Sequence, residues 1–216
     1  MQIRFISKFL LAVLLATQLS ACGILAVGGV AAGASVMADR RTPGVQAIDN
    51  GIEMQANAAL SKKFGDNAHI NVTSFNQKVL LTGEAKDVDI KGEAGAYVKA
   101  MKNARTVFNE IVIGPNSTYT ARANDSYLES KIKTQMIFTD KLPSNSMSIV
   151  AEGASVYLMG VLTQNEADLA KKVASNTNGV KDVYVYFDII SNTEKNRLEK
   201  QGKADESQPN SPPKFQ

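Results

Sequence analysis

The chain of 216 residues has no tryptophan, one histidine and one cysteine, and aromatic residues make up only 6% of it. A single thiol has no intramolecular disulfide partner, so packing must brace the fold. His69 opens an apolar strand pattern and reads as an ordinary strand-edge side chain. With no second histidine and no spare cysteine, a zinc site lacks ligands and a Ser-His-Asp triad rests on one residue. The glycine cluster Gly28-Gly29-x-x-x-Gly33 follows no strand, which excludes a phosphate-binding loop. The reading is therefore a non-enzymatic protein with no catalytic residues, no metal and no cofactor. One-sided charge is missing too. Arg4 and Lys8 lie in a leader, and without them 22 of the 24 basic residues face 21 acidic ones, so no nucleic-acid partner is expected.

What is present begins with that leader. Arg4 and Lys8 precede an apolar run from Phe9 to Leu15, and Leu19-Ser20-Ala21-Cys22 follows, which resembles the bacterial lipobox. Residues 1–21 read as a lipoprotein signal peptide and Cys22 as the acylated (palmitate-bearing) first residue of the mature chain. Gly23 stands where an aspartate would by rule retain a lipoprotein in the inner membrane, so the resemblance implies the outer membrane, with the chain facing the periplasm. Residues 22–48 read as a lipidated linker: an uncharged Ala/Gly/Val run too short to span a bilayer, then Asp39-Arg40-Arg41-Thr42-Pro43-Gly44, a solvated stretch whose arginines are within reach of lipid phosphates.

From Asp49 the chain reads twice. Ile52, Ala56, Ala59 and Leu60 have helical spacing after an entry at Asp49 or Asn50; Leu128, Ile132, Gln135 and Met136 repeat it after Asp125. Alternating apolar residues follow in each copy, with Asn76-Gln77 and Glu152-Gly153 as the hairpin turns. A second helix carries Ala94, Tyr97, Val98 and Met101, or Ala170, Val173, Ala174 and Thr177. A last strand closes each copy, Val107 to Ile113 and Val183 to Ile189. The fold class is α+β: two tandem domains, 49–113 and 125–190, each α-β-β-α-β with a three-stranded mixed sheet covered on one face by two helices. Residues 114–124 read as a linker long enough to let the domains rotate and short enough to keep them neighbours in reach of contact, and 191–216 as a disordered tail, with a helical turn or two near Glu194 to Gln201.

The endings Val79-x-Leu81-x-Gly83 and Val156-x-Leu158-x-Gly160, with Gly179-Val180-Lys181-x-Val183, resemble the BON domain. Two such domains behind a lipobox resemble the dual-BON outer-membrane lipoproteins of the DolP type. That resemblance implies a lipoprotein that binds anionic phospholipid and supports cell-envelope integrity. The first copy departs from the pattern at Asn103, where the second has Gly179; asparagine tolerates a left-handed turn, so the fold is expected to survive.

On the first helix of the second domain, Leu128, Ile132, Gln135, Met136 and Thr139 share one arc and must face the sheet. The remaining surface carries Tyr127, Ser130, Lys131, Thr134, Ile137 and Phe138, with Lys133 on its edge. Rings beside lysines suit the headgroup layer of an anionic membrane. The alternatives are that the rings pack on the first domain or the linker, or that they dock an envelope protein. Residues 125–190 hold six basic and eight acidic side chains, so attraction must be local. The corresponding helix of the first domain, with Glu53, Gln55, Asn57 and Ser61 outward and no ring before Phe64, reads as scaffold or protein contact. A monomer is expected.

Overall fold

A computed structural model describes residues 39–206; the leader, Cys22 and the end of the tail lie outside the described residues. The element order is α1 (Pro43–Phe64), β1 (Ala68–Phe75), β2 (Lys78–Ala85), α2 (Val88–Lys99), β3 (Thr106–Asn109) and β4 (Val112–Ile113), then α3 (Tyr119–Ile137), β5 (Met147–Glu152), β6 (Ser155–Leu162), α4 (Gln164–Ser175), β7 (Asp182–Ile189) and α5 (Asn192–Glu206). In each module the middle strand pairs antiparallel with the one before it and parallel with the last. In the first module that last strand is interrupted, so β3 and β4 both pair with β2, and Ile111 drops into the core between them.

The first helix of each module starts earlier than its aspartate. Thr42 caps α1 through Val45 N–H, with Pro43 at the first helical position, and Thr118 caps α3 through Ala121 N–H. The two linkers thus give their last residues to helices. Asp49 and Asp125 sit inside those helices, buried, and do a different job. Asp49 accepts Ser74 Oγ–H at 2.8 Å, Asn76 N–H at 2.9 Å and Gln77 N–H at 2.7 Å; Asp125 accepts Gly153 and Ala154 N–H, both at 3.1 Å. Each aspartate satisfies the donors of its own hairpin turn. Those turns have positive φ at Asn76 and Gln77 and at Gly153 and Ala154, so the second lies one residue later than expected.

The pattern-bearing glycine of β2 has a steric origin. Gly83 has φ +101°, and a Cβ there would stand 2.0 Å from the backbone oxygen of His69 on the paired strand. Asn103 and Gly179 both adopt positive φ, at 73° and 105°, as the expected tolerance of asparagine requires.

Each module buries its own helix–sheet core: Ile52, Ala56, Leu60, Val79, Leu81 and Val98 in the first, Leu128, Ile132, Met136, Val156, Leu158 and Ala170 in the second. The alternate residues of β2 and β6 are buried as well. Leu80, Tyr157, Met159 and Val161 form a third core with Phe75 and Val150, so the two sheets pack face to face. Phe108 and Tyr186 stack there at 4.1 Å between centroids, and Tyr186 O–H donates to Glu110 at 2.7 Å across the joint. Lys78 reaches Phe187 O and Asp188, which also accepts from Asn76. The modules are fastened by this core: they are neighbours in contact, as expected, and only the freedom to turn about the linker is corrected.

The arginine pair is a second correction, since neither residue is solvated. Arg40 is buried in the second module, where it donates to Glu166 at 2.8 and 2.9 Å, to Val161 O at 3.0 Å and to Glu199 at 2.7 Å. Arg41 turns to the first module: it pairs with Asp49 at 2.9 Å and lies 3.7 Å from the centre of the Phe75 ring. Glu166 also accepts Lys195 Nζ at 2.7 Å, and Leu198 packs on the inter-sheet core. These contacts order α5, so the helical turn or two expected near Glu194 to Gln201 is a continuous helix over residues 192–206. That helix is very polar. Its order comes from ion pairs to partners far along the chain, which a local reading does not see.

Candidate functional site

Because the sheets close on each other, all four module helices lie on outer faces. On α3 Leu128, Ile132 and Met136 are buried against the sheet as expected, whereas Gln135, expected on the same arc, is exposed and accepts Thr177 Oγ1–H at 2.6 Å, and Thr139 is half-buried; Glu129 turns inward to accept Ala151 N–H at 2.7 Å. The outer stripe is open. Tyr127 is 69% exposed, Phe138 74% and Ile137 38%. The earlier helix start adds a residue the sequence reading left in the linker: Tyr119, 87% exposed, with the Arg122 guanidinium 4.8 Å from its ring centre. At 100° per residue Tyr119 lines up with Ser126, Ser130 and Ile137, so the stripe runs the length of the helix.

The polar members are arranged to cost little when water leaves. Ser130 Oγ–H donates to Ser126 O and Thr134 Oγ1–H to Ser130 O, so both hydroxyl donors are satisfied within the helix. The lysines are placed less simply. Lys131 is half-buried and donates to Asn178 O at 2.8 Å through an ammonium group open to water. Lys133 is half-buried and donates to Ser144 O, and burial lowers its pKa from the ordinary lysine value. Arg122 thus lies against a ring of the stripe and Lys131 stands one helical turn after Tyr127, while Lys133 holds the chain after α3.

The sister helix α1 offers nothing comparable. At the matching positions it has Pro43, Gly51, Ser61 and Lys62 in place of Tyr119, Tyr127, Ile137 and Phe138. Phe64 is buried in its own core, and Met54 is the large apolar residue left outside. Glu53 and Asn57, expected to face outward, instead accept from Ser74 N–H and Val72 N–H.

A second cluster lies where the modules meet. His69 and Glu84 are opposite each other on β1 and β2, and Glu152 approaches from the end of β5. Burial and the charge of Glu84 push the Glu152 carboxyl up to about 7, while burial and Arg122 lower the pKa of His69. The sequence reading left His69 as an ordinary strand residue because the two carboxylates come from other strands.

Two helices over a mixed sheet of four strands in the first module and three in the second define the class, and the chain belongs to the BON domain family, which matches residues 49–115 and again 124–190. It is 31% identical over 174 residues to the outer membrane lipoprotein DolP of Haemophilus influenzae, covering 80% of this chain and 90% of that one. It is thus a dual-BON outer-membrane lipoprotein of the cell envelope. It is also 29% identical over 154 residues to a 21 kDa hemolysin of Actinobacillus pleuropneumoniae, covering 70% of this chain and 79% of that one. Among solved structures it is similar to CdsD, a structural protein of the type III secretion system of Chlamydia trachomatis, at 14% identity and a TM-score of 0.27, with 69% of this chain and 68% of that one covered. No helix among the described residues is long and apolar enough to cross a membrane.

Proposed function

We propose that this protein is a non-enzymatic, lipid-anchored envelope protein whose second module recognises anionic phospholipid through the outer stripe of α3, and that this contact supports envelope integrity. The observation that carries the reading is the row Tyr119, Tyr127 and Phe138, left exposed on one helix while its sister helix has no ring in any of these places. An aromatic ring gains by entering the headgroup layer, and the satisfied hydroxyls between the rings lose no donors on the way. Lys131 and Arg122 supply the attraction to phosphate, on the order of 1 kcal/mol for each cation near an anionic surface. Acylation at Cys22 would hold the module beside the bilayer, where weak affinity suffices because the effective concentration is high.

The fastened module pair presents this helix on an outer face, with the first module as scaffold. Titration of the protein with phosphatidylglycerol and phosphatidylcholine micelles, followed through backbone amides, tests the reading. Shifts along Tyr119 to Phe138 with the anionic lipid alone support it. Equal shifts with both lipids, or shifts elsewhere, point to the other reading, in which the stripe docks an envelope protein.

A further inference from the structure

The joint between the modules holds a set of groups that the lipid reading does not use. His69 stands across the β1–β2 pair from Glu84, and Glu152 ends β5 of the other module. One ligand atom from each of the three lies within 4.8 Å of the other two. His69 Nδ1 is buried, makes no hydrogen bond and stands 3.6 Å from Glu84 Oε2. The donors that reach the carboxylates are neutral: Ser117 N–H to Glu84 at 3.0 Å and the Asn71 amide to Glu152 at 3.2 Å. Among the described residues no lysine or arginine pairs with either. Two carboxylates converge beside an unsatisfied imidazole nitrogen, at the edge of a cleft of about 440 Å³.

We infer that His69, Glu84 and Glu152 bind one divalent transition-metal ion, Zn²⁺ fitting best, that clamps the first module to the second. One imidazole nitrogen and two carboxylate oxygens make a three-ligand set whose charge balances the ion, with the cleft supplying water for a fourth position. The imidazole selects against Mg²⁺ and Ca²⁺, which take oxygen ligands. Ligands on one tetrahedral ion at about 2.1 Å stand about 3.4 Å apart, so the three must draw together; His69 is fixed by its strand, and the glutamates have the torsions to move. Arg122, the nearby cation, is held away by Ser117 O at 3.0 Å and by the Tyr119 ring.

Calorimetric titration of the full-length protein, without a histidine tag and stripped with chelator, tests this with ZnCl₂ and MgCl₂. The expected result is one Zn²⁺ per chain, no Mg²⁺ uptake, and roughly tenfold or greater weakening in both His69→Asn and Glu152→Gln. Zinc must also shift the imidazole nitrogen resonances of the unaltered protein, which has one histidine and so one such signal to follow. Absence of Zn²⁺ uptake, uptake retained by both variants, or imidazole resonances that zinc leaves in place would each overturn the assignment.

Discussion

Arg40 donates two parallel hydrogen bonds, at 2.8 and 2.9 Å, to Glu166, a residue 126 positions away in the chain. Neither side chain is appreciably open to water, and Glu166 also takes Lys195 and closes its own helix cap through Thr163 N–H. The next residue, Arg41, is fixed to the first module. Two adjacent side chains therefore tie the incoming chain to both modules and to the last helix.

Glu166→Gln leaves Arg40 buried with less countercharge, and Arg40→Ala leaves Glu166 short of a partner. Each is expected to cost about 3 to 5 kcal/mol in urea unfolding, because breaking one side of a buried pair strands the other. The pH dependence has a definite sign. Burial works to raise the Glu166 pKa, but the hydrogen bonds from Arg40 and Lys195 outweigh it and hold the group at about 2, against 4.5 when unperturbed. A depressed carboxyl contributes stability that is full above about 4.5 and is lost as pH falls towards 2, on the order of 3 kcal/mol in all. Unfolding midpoints measured across that window should fall more steeply for the unaltered protein than for Glu166→Gln.

Tyr127 and Phe138 touch neither module core, so replacing both with alanine should leave stability within about 0.5 kcal/mol. Flotation with phosphatidylglycerol liposomes should lose roughly tenfold or more in partition per ring, at about 1.5 to 3 kcal/mol for burial of a large apolar side chain. Raising the salt should weaken the remaining binding modestly, since exposed charges are screened.

Asp49 and Asp125 should differ in cost. Asp125→Ala strips the acceptor from two turn N–H groups and is expected to destabilise by about 1 to 3 kcal/mol. Asp49→Ala also frees the Ser74 hydroxyl and Arg41, so its loss in thermal or urea unfolding should exceed that of Asp125→Ala.

Gly83→Ala places a methyl 2.0 Å from a backbone oxygen in a positive-φ residue, and strand separation is the relief open to it. A loss of about 3 kcal/mol or more is expected. The sister Gly160→Ala meets Ser146 O at 2.8 Å without positive φ and should cost less, a ranking that paired unfolding curves check.

The repeat, the element order and the buried face of each helix were legible because they rest on spacing within a dozen residues. Val79 and Leu81, and Val156 and Leu158, announce one buried face of a strand. The same strands hide a second signal in Leu80, Tyr157 and Met159, which makes the runs continuously apolar, as strands buried on both sides are. The aspartates misled because Asp before a helical run usually caps it; here the threonines cap, and the carboxylates serve turns some 28 residues on. Tyr119 was missed for the same reason: the helix starts before the aspartate.

By itself the sequence determined two like modules, their cores and the aromatic side of α3, since periodicity fixes which residues must leave water and which remain. The tertiary structure decided that the sheets close on each other, that Arg40 is buried and Arg41 half-buried in ion pairs, that the helix of the tail runs on to 206, and that His69 meets two carboxylates. Each of these depends on groups brought together from distant parts of the chain, and local hydrophobic patterning carries no information about such pairings.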